Sequence, residues 1–139
     1  MEQYLFLYGT LLPERAPAEV AKAVRQLRRI GRGSVSGKLY DLGEYPAAIL
    51  DKRSRSRISG EIFEVPGGPA VLKTLDKYEG FNPRHPRASL FVRKRWPVVF
   101  QNGKKLNCWL YVYNRNPGSA PRIEYGDYRH ARQNIAANT

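Results

Sequence analysis

The chain is short of acid: 12 Asp and Glu stand against 24 Lys and Arg, leaving a formal charge of +12. Such an excess attracts polyanions through counterion release, so it speaks of partners rather than of chemistry. Cysteine is scarcer still. Cys108 is the one cysteine, which excludes an internal disulfide and fits a reducing compartment. The two histidines, His85 in NPRHPR and His130 in the tail, have no cysteine or carboxylate at metal-ligand spacing, so no metal is expected. No apolar run reaches membrane-spanning length, and the run from Tyr4 to Tyr8 has neither the basic flank nor the length of a secretory signal. The protein is therefore expected in the cytoplasm, away from membranes. No sequence period is long enough to build a repeat array.

What is present suffices for one domain. With 139 residues, 42% of them hydrophobic, a single core can be filled, and residues 1–139 are read as a single domain. Gln3 to Tyr8 reads as a central buried strand bounded by Gly9. Pro17 opens a helix in which Val20, Ala23, Val24, Leu27 and Ile30 recur at helical spacing, and Gly31 ends it. Its opposite face, Lys22, Arg25, Arg29 and Arg32, is wholly basic. Strands follow at Ser34 to Asp41 and Ala47 to Leu50, then the polar tract DKRSRSR at 51–57 and a strand from Ile58 to Val65. Ala70 to Tyr78 has Val71, Leu72, Leu75 and Tyr78 on one side, a short helix closed by Gly80. Strands Ser89 to Phe100 and Lys105 to Tyr113 flank Asn102-Gly103, a strong hairpin signal, and one helical turn is predicted near Asp127 to Gln133. The tally predicts an α+β architecture, a small, mixed but mostly antiparallel barrel-like sheet with flanking helices.

Two stretches carry candidate chemistry. In YLFLYGTLL a hydrophobic strand stops at Tyr8-Gly9-Thr10-Leu11, and a glycine there lets backbone amides form a concave donor nest for a carboxylate or oxyanion. Taken alone, the same residues read as a strand ending in a turn. In LDKYEGF, Glu79 falls at the negative end of a helix with Asp76 one turn back. Both features push its pKa upward, toward the range of a general acid or base, while Lys73, Lys77 and Arg84 pull the other way if close. Taken alone, it reads as a solvated acid at a helix end.

YGTL, LYDLGEYPA, LDKYEGF, the strand Tyr111-Val112-Tyr113 and GDYR at 126–129 follow one another in a fixed order over nearly the whole chain. In that order they resemble the γ-glutamylcyclotransferase-like superfamily, its γ-glutamylamine cyclotransferase branch most closely. The resemblance implies a barrel-like core with a cavity for a γ-glutamyl group, a substrate-binding loop at Tyr8, Gly9, Thr10 and Leu11, and a catalytic Glu79. It implies a small-molecule γ-glutamyl substrate, release of 5-oxoproline and a free amine, and no cofactor. The amine is left open among amino acids, glutathione, a protein cross-link and an aminoglycoside-like adduct. Thr10 keeps the hydroxyl where many relatives have Ser, and Leu12 stands where the amine-specific branch commonly has a basic residue.

Other residues are read as structural. Cys108 is expected to be inert packing. Trp96, Trp109, Tyr111 and Tyr113 are expected to fill the core or line the cavity, and Tyr125 to pack on the barrel or cap the pocket. The alternative function is an inactive member of the fold that binds an anionic partner such as nucleic acid through its basic surface. Against it, the aromatics lie on strands rather than among the basic tracts, and charge alone supports only non-specific polyanion binding.

Overall fold

In the computed structural model, which describes residues 3–9 and 16–123, the opening strand β1 (Gln3–Leu7) runs between two neighbours. It pairs antiparallel with β4 (Arg57–Val65), from Gln3↔Val65 to Leu7↔Glu61, and parallel with β6 (Lys105–Tyr113) at Leu5↔Trp109. Successive side chains of a strand point to opposite faces, and here neither face is wet. Phe6 and Tyr8 join one buried cluster with Val35, Ile58 and Leu110, while Leu5 and Leu7 join another with Val24, Phe63 and Leu75. The unbroken apolar run thus marks a strand with a barrel interior on one side and helices on the other.

The remaining described elements are α1 (Ala18–Arg25), β2 (Arg28–Asp41), β3 (Pro46–Leu50), α2 (Ala70–Glu79), a 3-10 turn at Pro86–Ala88 and β5 (Phe91–Phe100). Neighbouring strands run β3-β2-β4-β1-β6-β5, and β5 returns to β2 at Gly33↔Phe100 and Ser34↔Val99. Five strands therefore close into a mixed barrel, with β3 attached to the far half of β2 from Gly37↔Leu50 to Asp41↔Pro46. So small a barrel has little room between β2 and β4. Gly33 faces Gly60 there, and a Cβ on Gly60 would stand 2.4 Å from the Leu7 carbonyl. No helix among the described residues is long and apolar enough to cross a membrane.

The expected barrel with flanking helices is what forms, but one predicted helix is too long. Helical spacing carries it to Ile30, whereas α1 ends at Arg25 and the chain is strand from Arg28. The Gln26 N–H bonds the Ala23 carbonyl at 3.1 Å and the Leu27 N–H bonds the Val24 carbonyl at 3.0 Å, closing the last turn. Beyond it Arg28 pairs with Glu64 on β4 at 2.5 Å, Arg29 Nε with Glu61 at 2.8 Å, and a bulge between Arg29 and Gly31 absorbs Ile30. Sheet pairing overrides a weak local helical preference. The basic helix face consequently shrinks to Lys22 and Arg25, because Arg29 and Arg32 are strand residues. At Asn102-Gly103 the predicted hairpin forms, with the Phe100 N–H donating to the Lys104 carbonyl at 2.7 Å. The predicted turn at 127–133 lies outside the described residues.

Candidate active site

Helix α2 ends in a Schellman motif that aims its last residue. Gly80 adopts the left-handed conformation (φ 74°), its N–H bonds the Lys77 carbonyl at 3.2 Å, and the Phe81 N–H bonds the Asp76 carbonyl at 2.9 Å. The chain turns sharply after Glu79, and that side chain enters a cleft at the end of β1. Phe6, Leu7, Tyr8 and Gly9 form one wall and Tyr45, Pro46, Phe91 and Tyr111 the others, around about 350 Å³ of space including the open mouth. Glu79 makes no hydrogen bond or ion pair among the described residues. The residue keeps some surface at the mouth, yet its carboxyl is drawn out of water, and burial pushes it up to about 7. The cause is desolvation, not the neighbouring Asp76 invoked from sequence.

The strand end is equally specific. Tyr8 is buried, and its hydroxyl donates to the Tyr111 main-chain carbonyl. Burial holds that hydroxyl well above its ordinary pKa, and the nearby charge of Glu79 adds to the effect. Desolvation also raises the hydroxyls of Tyr45 and Tyr111, Tyr111 further through its bond to Asp76. Gly9 has no room for a side chain, since a Cβ would lie 2.7 Å from Pro46 Cγ. Its smallness lets the turn before β3 close over the strand end. Thr10 and Leu11, the other half of the predicted loop, lie outside the described residues, as do Leu12, Tyr125 and GDYR.

Of the predicted site residues, the structure thus brings together Tyr8, Gly9 and Glu79. Sequence reasoning missed Tyr45, Pro46 and Phe91 as cleft walls. The signal for the first two was an aromatic-proline pair in the GEYP turn, where turn chemistry accounts for the proline but not for the aromatic. Tyr45 stands edge-on to Phe91 with ring centroids 5.3 Å apart. Tyr111 lines the cleft as expected, while its hydroxyl turns away to donate to Asp76 Oδ1 at 2.7 Å. Trp96 and Trp109 do not line the cleft. They pack at the margins of the two cores, Trp96 under Lys52 and Trp109 under Arg93 and Arg95. Basic and aromatic side chains are therefore in contact, contrary to their separation in sequence. Cys108 is wholly buried, and burial pushes its thiol up to about 12, the state of an inert packing residue.

Residues 5–130 match the family model described as gamma-glutamyl cyclotransferase, AIG2-like. The chain belongs to this family. A relative from Methanocaldococcus jannaschii, provisionally named a gamma-glutamylcyclotransferase, is 28% identical over 127 residues, 91% of this chain and 96% of that protein. An AIG2-like protein from Mus musculus shares the fold with a TM-score of 0.69, at 23% identity over 91% of this chain and 88% of that one. YkqA from Bacillus subtilis superposes on the whole chain with a TM-score of 0.73 at 21% identity, this chain spanning 44% of its length. These two likenesses establish the fold. In the AIG2-like frame, an unpaired carboxyl titrating near neutrality beside a strand end can move a proton within a partly dry cleft.

Proposed function

We propose that this protein is a γ-glutamylamine-type cyclotransferase that converts a γ-glutamyl amide into 5-oxoproline and a free amine, with Glu79 moving the protons. The observation that carries this reading is the Glu79 carboxyl, unpaired among the described residues, desolvated and raised to about 7 in the cleft that closes on Tyr8-Gly9. The α-nitrogen attacks the γ-carbonyl carbon, forming the lactam C–N bond and breaking the original amide C–N bond. An α-ammonium holding three protons ends as a lactam N–H, and an amide N–H ends as an alkylammonium with three. Two protons therefore travel from the attacking to the leaving nitrogen, with none gained or lost overall. A single carboxyl near neutrality suits both transfers, as base toward the first nitrogen and acid toward the second.

Because nucleophile and electrophile belong to one molecule, orientation replaces the entropic cost of an encounter, worth roughly 7–11 kcal/mol in well-aligned cases. In this mechanism the amides of the Gly9-Thr10-Leu11 stretch hold the α-carboxylate or the developing oxyanion. Tyr45 and Phe91 exclude water from the ring-closing conformer. The test is 5-oxoproline release from a panel of γ-glutamyl amines, wild type beside Glu79→Gln. Turnover in the wild type that collapses in the variant is the expected result. Turnover that survives the substitution rejects the role of Glu79, and a folded wild type inactive on the whole panel rejects the reaction.

A further inference from the structure

A second concavity lies on the outside of the barrel and shares no lining residue with the Glu79 cleft. Strand alternation decides its chemistry. Val35 pairs with Ile58, both wholly buried, so their neighbours Ser34, Ser36, Arg57 and Ser59 face outward. After the start of β4 this edge of β2 is taken up by residues 121–123. Tyr40 bridges Arg122, the Asp41 N–H bonds the Pro121 carbonyl at 2.8 Å, and the Ile123 N–H bonds the Leu39 carbonyl at 2.7 Å. The depression between these segments spans about 600 Å³ including its open mouth and is lined by Lys38, Arg55, Ser56, Arg57, Ser59 and Arg122 together with apolar residues.

Two of its guanidinium groups are held by neutral partners. Arg57 donates from Nε to Ser34 Oγ at 2.8 Å, from one terminal nitrogen to Ser36 Oγ at 3.0 Å and from the other to the Ser34 carbonyl at 2.9 Å. Two of its N–H donors remain beyond those bonds. Arg122 donates to the Ser56 hydroxyl. No carboxylate lines the depression among the described residues. Elsewhere in the molecule Arg28, Arg29 and Arg93 each meet an acid. Four cations thus converge on one depression, Arg57 and Arg122 oriented by serine hydroxyls, and none of the four meets a carboxylate among the described residues. Rigid guanidinium forks with an ammonium and hydroxyls match a tetrahedral oxyanion of high charge.

We propose that this depression is a second binding site, for the phosphoryl group of a small phosphorylated molecule. A nucleic-acid backbone fits it less well, because the cations converge instead of tracking along a groove and no aromatic ring lines the site for base stacking. The test follows Arg57 Nε–H and the amides of residues 37–39 and 56 by NMR during titration with pyrophosphate against chloride at matched ionic strength. Saturable shifts confined to those groups are expected, with affinity falling about a hundredfold in Arg57→Gln/Arg122→Gln, the loss of two charge-assisted hydrogen-bonding groups. Arg55 makes no hydrogen bond or ion pair among the described residues, so Arg55→Gln weakens binding without a folding penalty. Shifts that never saturate, that spread over the whole basic surface or that chloride reproduces overturn the site. So does unchanged affinity in folded Arg55→Gln, or displacement of pyrophosphate by an unphosphorylated oligonucleotide as readily as by a mononucleotide.

Discussion

Two carboxylates sit one turn apart on α2, and the fold treats them in opposite ways. Asp76 is buried and saturated: Arg93 binds both its oxygens, at 2.8 and 3.2 Å, and the Tyr111 hydroxyl adds a third bond at 2.7 Å. Arg93 in turn stacks on Trp109 with its guanidinium carbon 4.3 Å from the ring centroid. Glu79 is partly desolvated and has no hydrogen-bond or ion-pair partner among the described residues, and it rises to about 7. Desolvation without compensation is unfavourable for a folded protein and useful for an enzyme. The difference teaches that the acid whose charge is compensated fixes the helix against the barrel, while the acid left without compensation is the one the proposed mechanism needs for proton exchange.

The sharpest way to break this comparison is to neutralise each acid in turn. Glu79→Gln keeps size and removes the base, so kcat for 5-oxoproline release is expected to fall about 10²- to 10⁴-fold while the protein stays folded. Asp76→Ala is expected to do the reverse in kind: it strands Arg93 in a half-dry site, and chemical denaturation should record a loss of about 3–5 kcal/mol. Its activity falls too, through Tyr111, whose main chain holds the Tyr8 hydroxyl. A stable Asp76→Ala protein, or an unfolded Glu79→Gln, inverts the assignment.

Much of this was legible in the sequence, and the losses have physical reasons. β1 announced itself because it is buried on both faces, and β6 and the Asn102-Gly103 hairpin because turn chemistry is local. The end of α1 was not legible, since Leu27 and Ile30 keep a helical spacing and only pairing with Glu61 and Glu64, over thirty residues away in sequence, makes strand the better state. Glu79 was found by its place before a helix-stopping glycine, but the reason for its high pKa was misjudged. Proximity in sequence suggested Asp76, and proximity in sequence says nothing about Arg93 neutralising it from β5. Tyr45 and Phe91 were hidden because a cleft wall assembled from a turn and a distant strand leaves no local pattern.

A titration of stability sharpens the comparison further. The folded-state pKa of Glu79, about 7, lies above the ordinary glutamate value of 4.5, so the folded protein holds this proton more tightly than the unfolded chain. Its contribution is fully present below the unfolded pKa and is lost as pH rises through the folded one. Between roughly pH 4.5 and 7 the wild type should therefore lose up to about 3 kcal/mol that Glu79→Gln does not lose. At pH 8 the inactive variant is expected to be the more stable protein. Difference melts of the two across that window measure the effect, and parallel curves would mean that the carboxyl is solvated after all. The pH dependence of kcat/KM should carry a limb near 7, rising as Glu79 deprotonates in the free enzyme.

The smallest effect tests whether pairing alone explains Asp76. Arg28 and Glu64 are as close as any ion pair in the described fold, 2.5 Å, but their side chains are 70% and 26% exposed against 16% and 9% for Arg93 and Asp76. Water already solvates the first pair and screens it, so a double-mutant cycle with Arg28→Ala and Glu64→Ala should give a coupling under about 1 kcal/mol. The same cycle on Arg93 and Asp76 should give several times more, because neither partner can recover its lost hydration. Equal couplings would show that distance, not burial, sets the strength of these pairs. The contrast between Asp76 and Glu79 would then reduce to the presence of a nearby arginine, and an arginine introduced beside Glu79 would be enough to return its pKa to normal whatever the depth of the cleft.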